Sequence, residues 1–301
     1  MSKLKYFIIA GLLRIAGWLS LAGAQRVGRF VGYLVWRLPT KSRQVTDINL
    51  SICLPELSDT ERAVMSKRSL AQTGMTMLEV PLMWEWPVEK CLGLIRETEG
   101  LDLIDEAMAG DKGLILLAPH LGNWELAGLF FSSRYKMAAL YSPPNMPEFE
   151  DYMIKVRGRL GSELVRGDRR GLARLASILR EGGVAGILPD QSPRGKGNAF
   201  APFFGMEVKT MTLVSKLIQR TGANVLITYA ERLPDASGFR IVVRETGPGL
   251  GDKDPVAATS AMNQAIEQCV REIPEQYQWE YKRMRHRPPG EINPYNPDRV
   301  C

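Results

Sequence analysis

His120 is one of only two histidines in the 301-residue chain, and it stands in the run Ala118-Pro-His-Leu-Gly-Asn-Trp-Glu125. Imidazole is the side chain best suited to accept a proton near neutral pH. A neighbouring carboxylate fixes its tautomer and stabilises the imidazolium formed in proton transfer, and Glu125 lies five positions on. On one continuous helix that offset would separate the two by roughly 140°. They can meet only if His120 sits in the turn before a helix and Glu125 in its first turn. The sequence suits that arrangement: Gly122 allows a tight bend, Asn123 is a good N-cap, and Glu125 falls near the second helical position, where the helix dipole favours a carboxylate. No G-x-S-x-G elbow and no Walker A sequence is present. The run Gly247-Pro-Gly-Leu-Gly251 opens no apolar helix in the register a nucleotide loop needs. A His–carboxylate pair without a protein nucleophile suits direct attack by a substrate hydroxyl.

The elements that must position this pair follow from periodicity and punctuation. Gly113–Pro119 is a short continuous apolar run, as in a strand buried on both faces, and a helix over 123–131 follows it. The pattern recurs as a helix over 168–181, a Gly-Gly break, and the apolar run Val184–Leu188 ending in Pro189-Asp190. Further helices are predicted over 59–80 with Asp59 as N-cap, over 102–110 closed by Gly110, over 207–221 and over 255–273. Pro81 and Pro87 are expected to break the chain after the first of these. Strands are expected at Asn224–Ala230 and Phe239–Arg244. Strand–helix alternation implies an α/β fold, a mixed sheet flanked by helices. Such sheets carry chemistry at the carboxyl ends of their strands, where both His120 and Asp190 fall.

Residues 1–38 read as a membrane anchor or interfacial helix, and 39–301 as the catalytic domain. The apolar run from Tyr6 to Ala24 is interrupted by Arg14, and Lys3, Lys5, Arg26, Arg29 and Arg37 are interspersed around it. A signal peptide needs an unbroken apolar stretch and a small-residue cleavage site. A central Arg costs a spanning helix about 2.5–3.5 kcal/mol on insertion scales. The segment is therefore expected as a short anchor whose Arg14 snorkels, or as an amphipathic helix lying in the interface, with a plain core helix as the alternative. Trp18, Tyr33 and Trp36 among cations favour headgroup depth. Cys53, Cys91, Cys269 and Cys301 form no CxxC pair, and two histidines do not make a common zinc site, so neither metal nor cofactor is expected. The net charge of +6 favours anionic partners, but no nucleic-acid motif is present and nucleic acid is not among the expected ones.

Four blocks carry a resemblance: His120–Glu125 (HLGNWE); Gly158-Arg159-Leu160; Leu188-Pro-Asp-Gln191 with Ala201-Pro-Phe-Phe-Gly205; and Pro274-Glu-Gln-Tyr-Gln-Trp279 with Tyr281-Lys-Arg283 and Arg287-Pro288. In this order and spacing the chain resembles the late lipid A biosynthesis (lauroyl/myristoyl) acyltransferases of Gram-negative bacteria, within the H-x4-D/E glycerolipid-type acyltransferases. Glu280-Tyr281 departs from a Leu-His pair common there. The resemblance implies transfer of a fatty acyl group from an acyl-carrier-protein thioester to a hydroxyl of a lipid A precursor, on the cytoplasmic face of the inner membrane, without a metal. It implies His120 as general base assisted by Glu125, with amides of the 123–131 helix as oxyanion donors. Asn123, Arg159, Asp190 and Arg283 are the expected substrate-binding residues. Arg159 positions substrate or supports the oxyanion, and Asp190 supports the site from behind or binds the acceptor. Lys282, Arg283, Arg285, His286 and Arg287 form a basic cluster suited to lipid phosphates or the acidic carrier. The alternatives are a lysophospholipid or another glycolipid as acceptor, and, in a different class, a non-catalytic membrane-anchored lipid-binding protein.

Overall fold

The computed structural model describes residues 2–144, 146–193, 195 and 197–300; Cys301 and the side chains of Lys3 and Lys5 lie outside the described residues. Four helices open the chain: α1 (Ser2–Ala16), α2 (Leu21–Arg37), α3 (Lys41–Cys53) and α4 (Asp59–Glu85). The single N-terminal helix expected from sequence is two, because the chain turns at Gly17–Leu19 and Ser20 caps α2 by accepting from the Gly23 amide. Among the described residues no helix is long and apolar enough to cross a membrane. The N-cap of α4 is Ser58, one residue before the expected Asp59, in a reciprocal capping box with Glu61. Pro81 does not end α4, which continues through it to Glu85; packing outweighs the one helical hydrogen bond that a proline removes.

Helices α2 and α4 touch backbone to backbone. A Cβ on Gly28 would stand 2.4 Å from the Gly74 carbonyl oxygen, and one on Gly32 would stand 2.1 Å from that of Leu70. Gly28 and Gly32, weak helix formers, are therefore in α2 for close approach.

Next come α5 (Val88–Leu92), β1 (Ile95–Glu99), α6 (Asp102–Met108), β2 (Leu114–Leu117), α7 (Trp124–Ser132), β3 (Met137–Tyr141), α8 (Pro147–Arg157), β4 (Glu163–Arg166), α9 (Arg169–Arg180) and β5 (Val184–Ile187). They are followed by β6 (Asn198–Phe203), β7 (Met206–Met211), α10 (Leu213–Thr221), β8 (Asn224–Arg232), β9 (Phe239–Glu245), α11 (Pro255–Glu272), and a hairpin of β10 (Ile292–Asn293) and β11 (Asn296–Val300). The helix expected over 207–221 starts only at Leu213. Residues 206–211 are a strand instead, because burial alternates there with a period of two: Val208 and Thr210 are buried while Glu207 is exposed. A two-residue turn joins β6 to β7, with Phe204 and Gly205 both at positive φ, the backbone that a tight hairpin of this kind demands.

Seven strands form one mixed sheet in the order β1-β9-β8-β2-β5-β3-β4, parallel except where β9 meets β8. Strand β2 shows why its run is apolar throughout. Ile115 and Leu117 join one core with α9, α10 and α11, while Leu114 and Leu116 join the other with α7. From β2 the chain crosses to β3, beyond β5; from β5 it returns to β8, beyond β2. The connections thus diverge between β2 and β5, and a crevice opens beyond the carboxyl ends of those two strands.

Candidate active site

Strands β2 and β5 pair in register, Leu117 opposite Ile187, and the ladder continues one step through the Ala118 amide to the Ile187 carbonyl at 2.9 Å. Three residues beyond each strand stand His120 and Asp190, so equal offsets on neighbouring parallel strands place them side by side. Both Asp190 oxygens are used: Oδ2 accepts from the His120 backbone amide at 2.8 Å, and Oδ1 lies 2.8 Å from His120 Nδ1. A carboxylate only accepts, so Nδ1 carries the proton and Nε2 keeps its lone pair in the neutral ring. Gln191 Nε2, 3.2 Å from His120 Nε2, is the donor on that side, and the Trp124 ring packs edge-on at 4.9 Å between centroids. Burial pushes the Asp190 carboxyl up, but the His120 ring, its two hydrogen bonds and a backbone contact outweigh it and hold the group below its ordinary value. The Tyr277 hydroxyl also bonds Asp190, and burial with that carboxylate raises the phenol well above its ordinary value.

The turn carrying His120 is fastened on both sides. The Gly122 amide donates to the Gln276 carbonyl, the Asn123 amide to that of Ala230, and the Gln278 amide to that of His120. Gly122 has φ +61°, and a Cβ there would stand 2.0 Å from the Ala230 oxygen, so the bend admits only glycine.

The expected pairing of Glu125 with His120 is not what the structure contains. Glu125 is at the second position of α7, as the capping argument requires, but its carboxylate accepts from Arg157 through Nε at 3.0 Å and through Nη2, and from the Trp84 indole at 2.9 Å. Burial raises this carboxyl; the Arg157 charge and the bonds from Arg157, Trp84 and Trp124 lower it further, so the net displacement is downward. The physical reason for the changed partner is the register of β2 and β5, which brings Asp190 to the ring.

His120, Trp124, Glu125, Arg157 and Gln191 all line one cavity of about 1520 Å³. Its apolar wall comes from α7, β3, β4, α8 and the end of β5, including Phe131, Met137, Leu164 and, one residue beyond β5, Leu188. Gly128 lies there one helical turn beyond Trp124, and a Cβ on it would meet nothing within 4 Å. Another wall, from the segment after Asp190, β7, α10 and the chain near Tyr281, carries Lys209, Lys216, Lys282 and Arg285. A histidine whose Nε2 meets only the Gln191 amide among the described residues, an apolar channel and a cationic wall fit a long-chain acyl group and an anionic lipid.

Residues 1–286 match the family of bacterial lipid A biosynthesis acyltransferases. The chain belongs to that family. It is 28% identical to the lipid A biosynthesis lauroyltransferase of Escherichia coli (strain K12), over 88% of this chain and 86% of that one. It is 29% identical to the palmitoleoyltransferase of the same strain, covering 89% and 87%, and 30% identical to its myristoyltransferase, covering 90% and 82%.

In this acyltransferase three of the expected substrate-binding residues do not face the cavity. Arg159 donates to the carbonyls of Met83, Trp84 and Trp86 at 2.6, 3.2 and 2.7 Å. It closes the C-terminal carbonyls of α4, which a helix end leaves without partners. Of the two neighbouring arginines it is Arg157, two residues earlier, that lines the cavity; a salt bridge to a first-turn acid of α7 is not visible in sequence. Arg283 is buried and donates to the Lys209 carbonyl at 2.6 Å and the Thr210 hydroxyl at 2.8 Å, fastening the β6–β7 hairpin against α11. Asn123 caps α7, accepting from the Leu126 amide at 3.0 Å, and donates to Glu79 at 3.0 Å. Asp190 is at the site, bound to His120. Gln191 and Tyr277 lie within the quoted sequence blocks without having been singled out.

Proposed function

We propose that this acyltransferase moves a fatty acyl chain from an acyl-carrier-protein thioester to a hydroxyl of a lipid A precursor, with His120 as general base and Asp190 as the residue that orients it. The observation that carries this reading is the Asp190 carboxylate 2.8 Å from His120 Nδ1, which assigns the proton to that nitrogen and leaves Nε2 as the acceptor, in a histidine that lines the same cavity as Gln191 and the Glu125–Arg157 pair. His120 Nε2 takes the proton of the acceptor hydroxyl as its oxygen attacks the thioester carbonyl carbon. Asp190 stabilises the imidazolium, and the Trp124 and Glu125 amides in the first turn of α7, which the Asn123 cap leaves open, stabilise the tetrahedral oxyanion. Collapse breaks the C–S bond, and the imidazolium returns its proton to the departing sulfur, leaving an ester and a free thiol. Glu125 stays ionised against Arg157 and shapes the cavity beside the base. Asn123 and Arg283 act from behind the walls rather than on substrate.

The apolar wall takes the acyl chain. Each methylene kept out of it forfeits about 0.8 kcal/mol, so Gly128→Leu, excluding roughly three methylenes, is expected to shift preference toward shorter chains by about fifty-fold. Competition between donors of different chain length, read by mass spectrometry, measures this; an unchanged product distribution places the chain elsewhere.

The enzyme works at the cytoplasmic face of the inner membrane, resting on it through α1 and α2. Phe7, Leu12, Ile15, Trp18 and Phe30 are all more than half exposed, with Arg14, Arg26 and Arg29 exposed among them, the composition of an interfacial surface. Trp18→Glu with Phe30→Glu is expected to lower co-flotation with anionic vesicles by about tenfold or more. Equal flotation of the variant would remove this face from the account.

The test of the reading is product analysis. Purified protein is offered acyl-carrier-protein donors with a tetra-acylated lipid A precursor or with a lysophospholipid. A gain of one acyl group on the lipid A precursor supports it. Transfer only to the lysophospholipid keeps the chemistry and refutes the acceptor.

A further inference from the structure

The cationic wall contains a helix start that is left open. Thr212 is the N-cap of the nine-residue α10, yet its side chain makes no capping bond. A threonine in that place ordinarily accepts from the first turn. Here it is only 3% exposed, it lines the cavity, and its Oγ1 has no hydrogen-bond partner. The first-turn amides of α10 receive no side-chain cap either, and no acid stands in that turn, so the positive end of the helix dipole is uncompensated.

Two lysines line the cavity with Thr212. Lys209 is the third residue before it, on β7, and Lys216 is one turn into α10. Lys216 Nζ lies over the Gly197 turn, 3.7 Å from where a Cβ would stand, and the Gly197 carbonyl accepts from the Thr212 amide at 3.2 Å. Among the described residues neither ammonium has an ion-pair partner. The acids that line the cavity are committed elsewhere, Glu125 to Arg157 and Asp168 to the Gly171 amide as cap of α9. An unsatisfied hydroxyl, open helix amides and two unpaired lysines together suit a tetrahedral dianion or phosphodiester.

We propose that the start of α10, with Thr212, Lys209 and Lys216, is a phosphate subsite of the acyl-transfer cavity. The proposal rests on the function stated above, and two substrates could supply the group: a phosphate on the glycolipid acceptor, or the phosphodiester of the carrier protein's pantetheine arm. Thr212→Val keeps the branched shape and removes the hydroxyl, and Lys216→Met keeps the stem and removes the charge.

The experiment has two readouts on the wild type and the double variant, both checked for an unchanged melting temperature. The first is binding of inorganic phosphate followed by 31P line broadening, which needs no turnover; the variant is expected to bind about tenfold more weakly or worse. The second is kcat/KM with phosphorylated and dephosphorylated acceptor, and with carrier-protein donor against the acyl thioester of N-acetylcysteamine, which has no phosphate. An acceptor site shows as a loss at least about tenfold greater on the phosphorylated acceptor than on its dephosphorylated form. A donor site shows as the same difference between the two donors. Equal phosphate binding by the two proteins, or equal losses on all four substrates, overturns the subsite. Failure of the wild type to transfer to any acceptor would instead strike the functional reading, and phosphate binding would still decide the subsite.

Discussion

Asp190→Asn is expected to lower kcat for acyl transfer by about 10²–10⁴-fold with little change in KM. The carboxylate holds the His120 proton on Nδ1, so that Nε2 can accept, and it balances the imidazolium as charge develops. An asparagine presents either its carbonyl or its amide to Nδ1; with the amide there, the ring is held in the tautomer that cannot accept on Nε2. Glu125→Gln is the informative contrast. It leaves Arg157, whose other polar contact is a methionine sulfur, without its ionic partner, and is expected to reduce stability more than it alters the pH dependence of kcat. Both carboxyls are held below their ordinary values in the fold, so the stabilisation they contribute is complete at neutral pH. It is lost as the pH falls through their folded values. A pH–rate profile of each variant separates the roles: if Glu125→Gln abolishes the basic dependence and Asp190→Asn keeps it, the assignment of partners is reversed.

Glu79→Ala is expected to destabilise the protein by about 3–5 kcal/mol, measured as a shift of the urea midpoint at constant slope. Glu79 is fully buried and receives two bonds from Arg232, at 2.6 and 2.5 Å, one from Gln25 at 2.8 Å, and one from Asn123 at 3.0 Å. Arg232 is also bound to Gln72 at 2.5 Å and Thr76 at 2.7 Å. The carboxylate thus joins α2, α4, β8 and the cap of the helix that follows the histidine. Removing it leaves a buried guanidinium without its counter-charge, which costs more than the pair itself contributes. Removing both partners, as Glu79→Leu with Arg232→Met, is expected to cost less than the single change. A single-variant loss within about 1 kcal/mol would show that water or a shifted side chain replaces the carboxylate.

The parts legible in sequence were those with a local signature. The apolar runs after Gly113 and Gly183 report strands buried on both faces, and Gly122, Asn123 and Glu125 report a tight turn, a cap and a first-turn acid. Each is written within a few residues of itself. What fixed the partner of His120 was not local. The register of β2 on β5 is set across the intervening α7, β3, α8, β4 and α9, and it puts Asp190 rather than Glu125 at the ring. The strand at 206–211 is hidden for a related reason: its alternation spans six residues and continues directly into the helical pattern of α10, so a single helix covers both when no partner strand is in view. Arg159 and Arg157 differ by two positions, and only the placement of the α4 carbonyls decides which arginine reaches the cavity. Two N-terminal helices in place of one follow from the turn at 17–19 and the Ser20 cap, a break that lies inside the apolar run and is masked by its composition.

The central claim is that His120 is the base. Its most direct test compares wild type with His120→Ala, shown by circular dichroism and melting to be folded, in the acyl-transfer assay read by mass spectrometry. One added acyl group is expected with the wild type, and a rate lower by about 10²–10⁴-fold with the variant. An unchanged rate in the folded variant would contradict it.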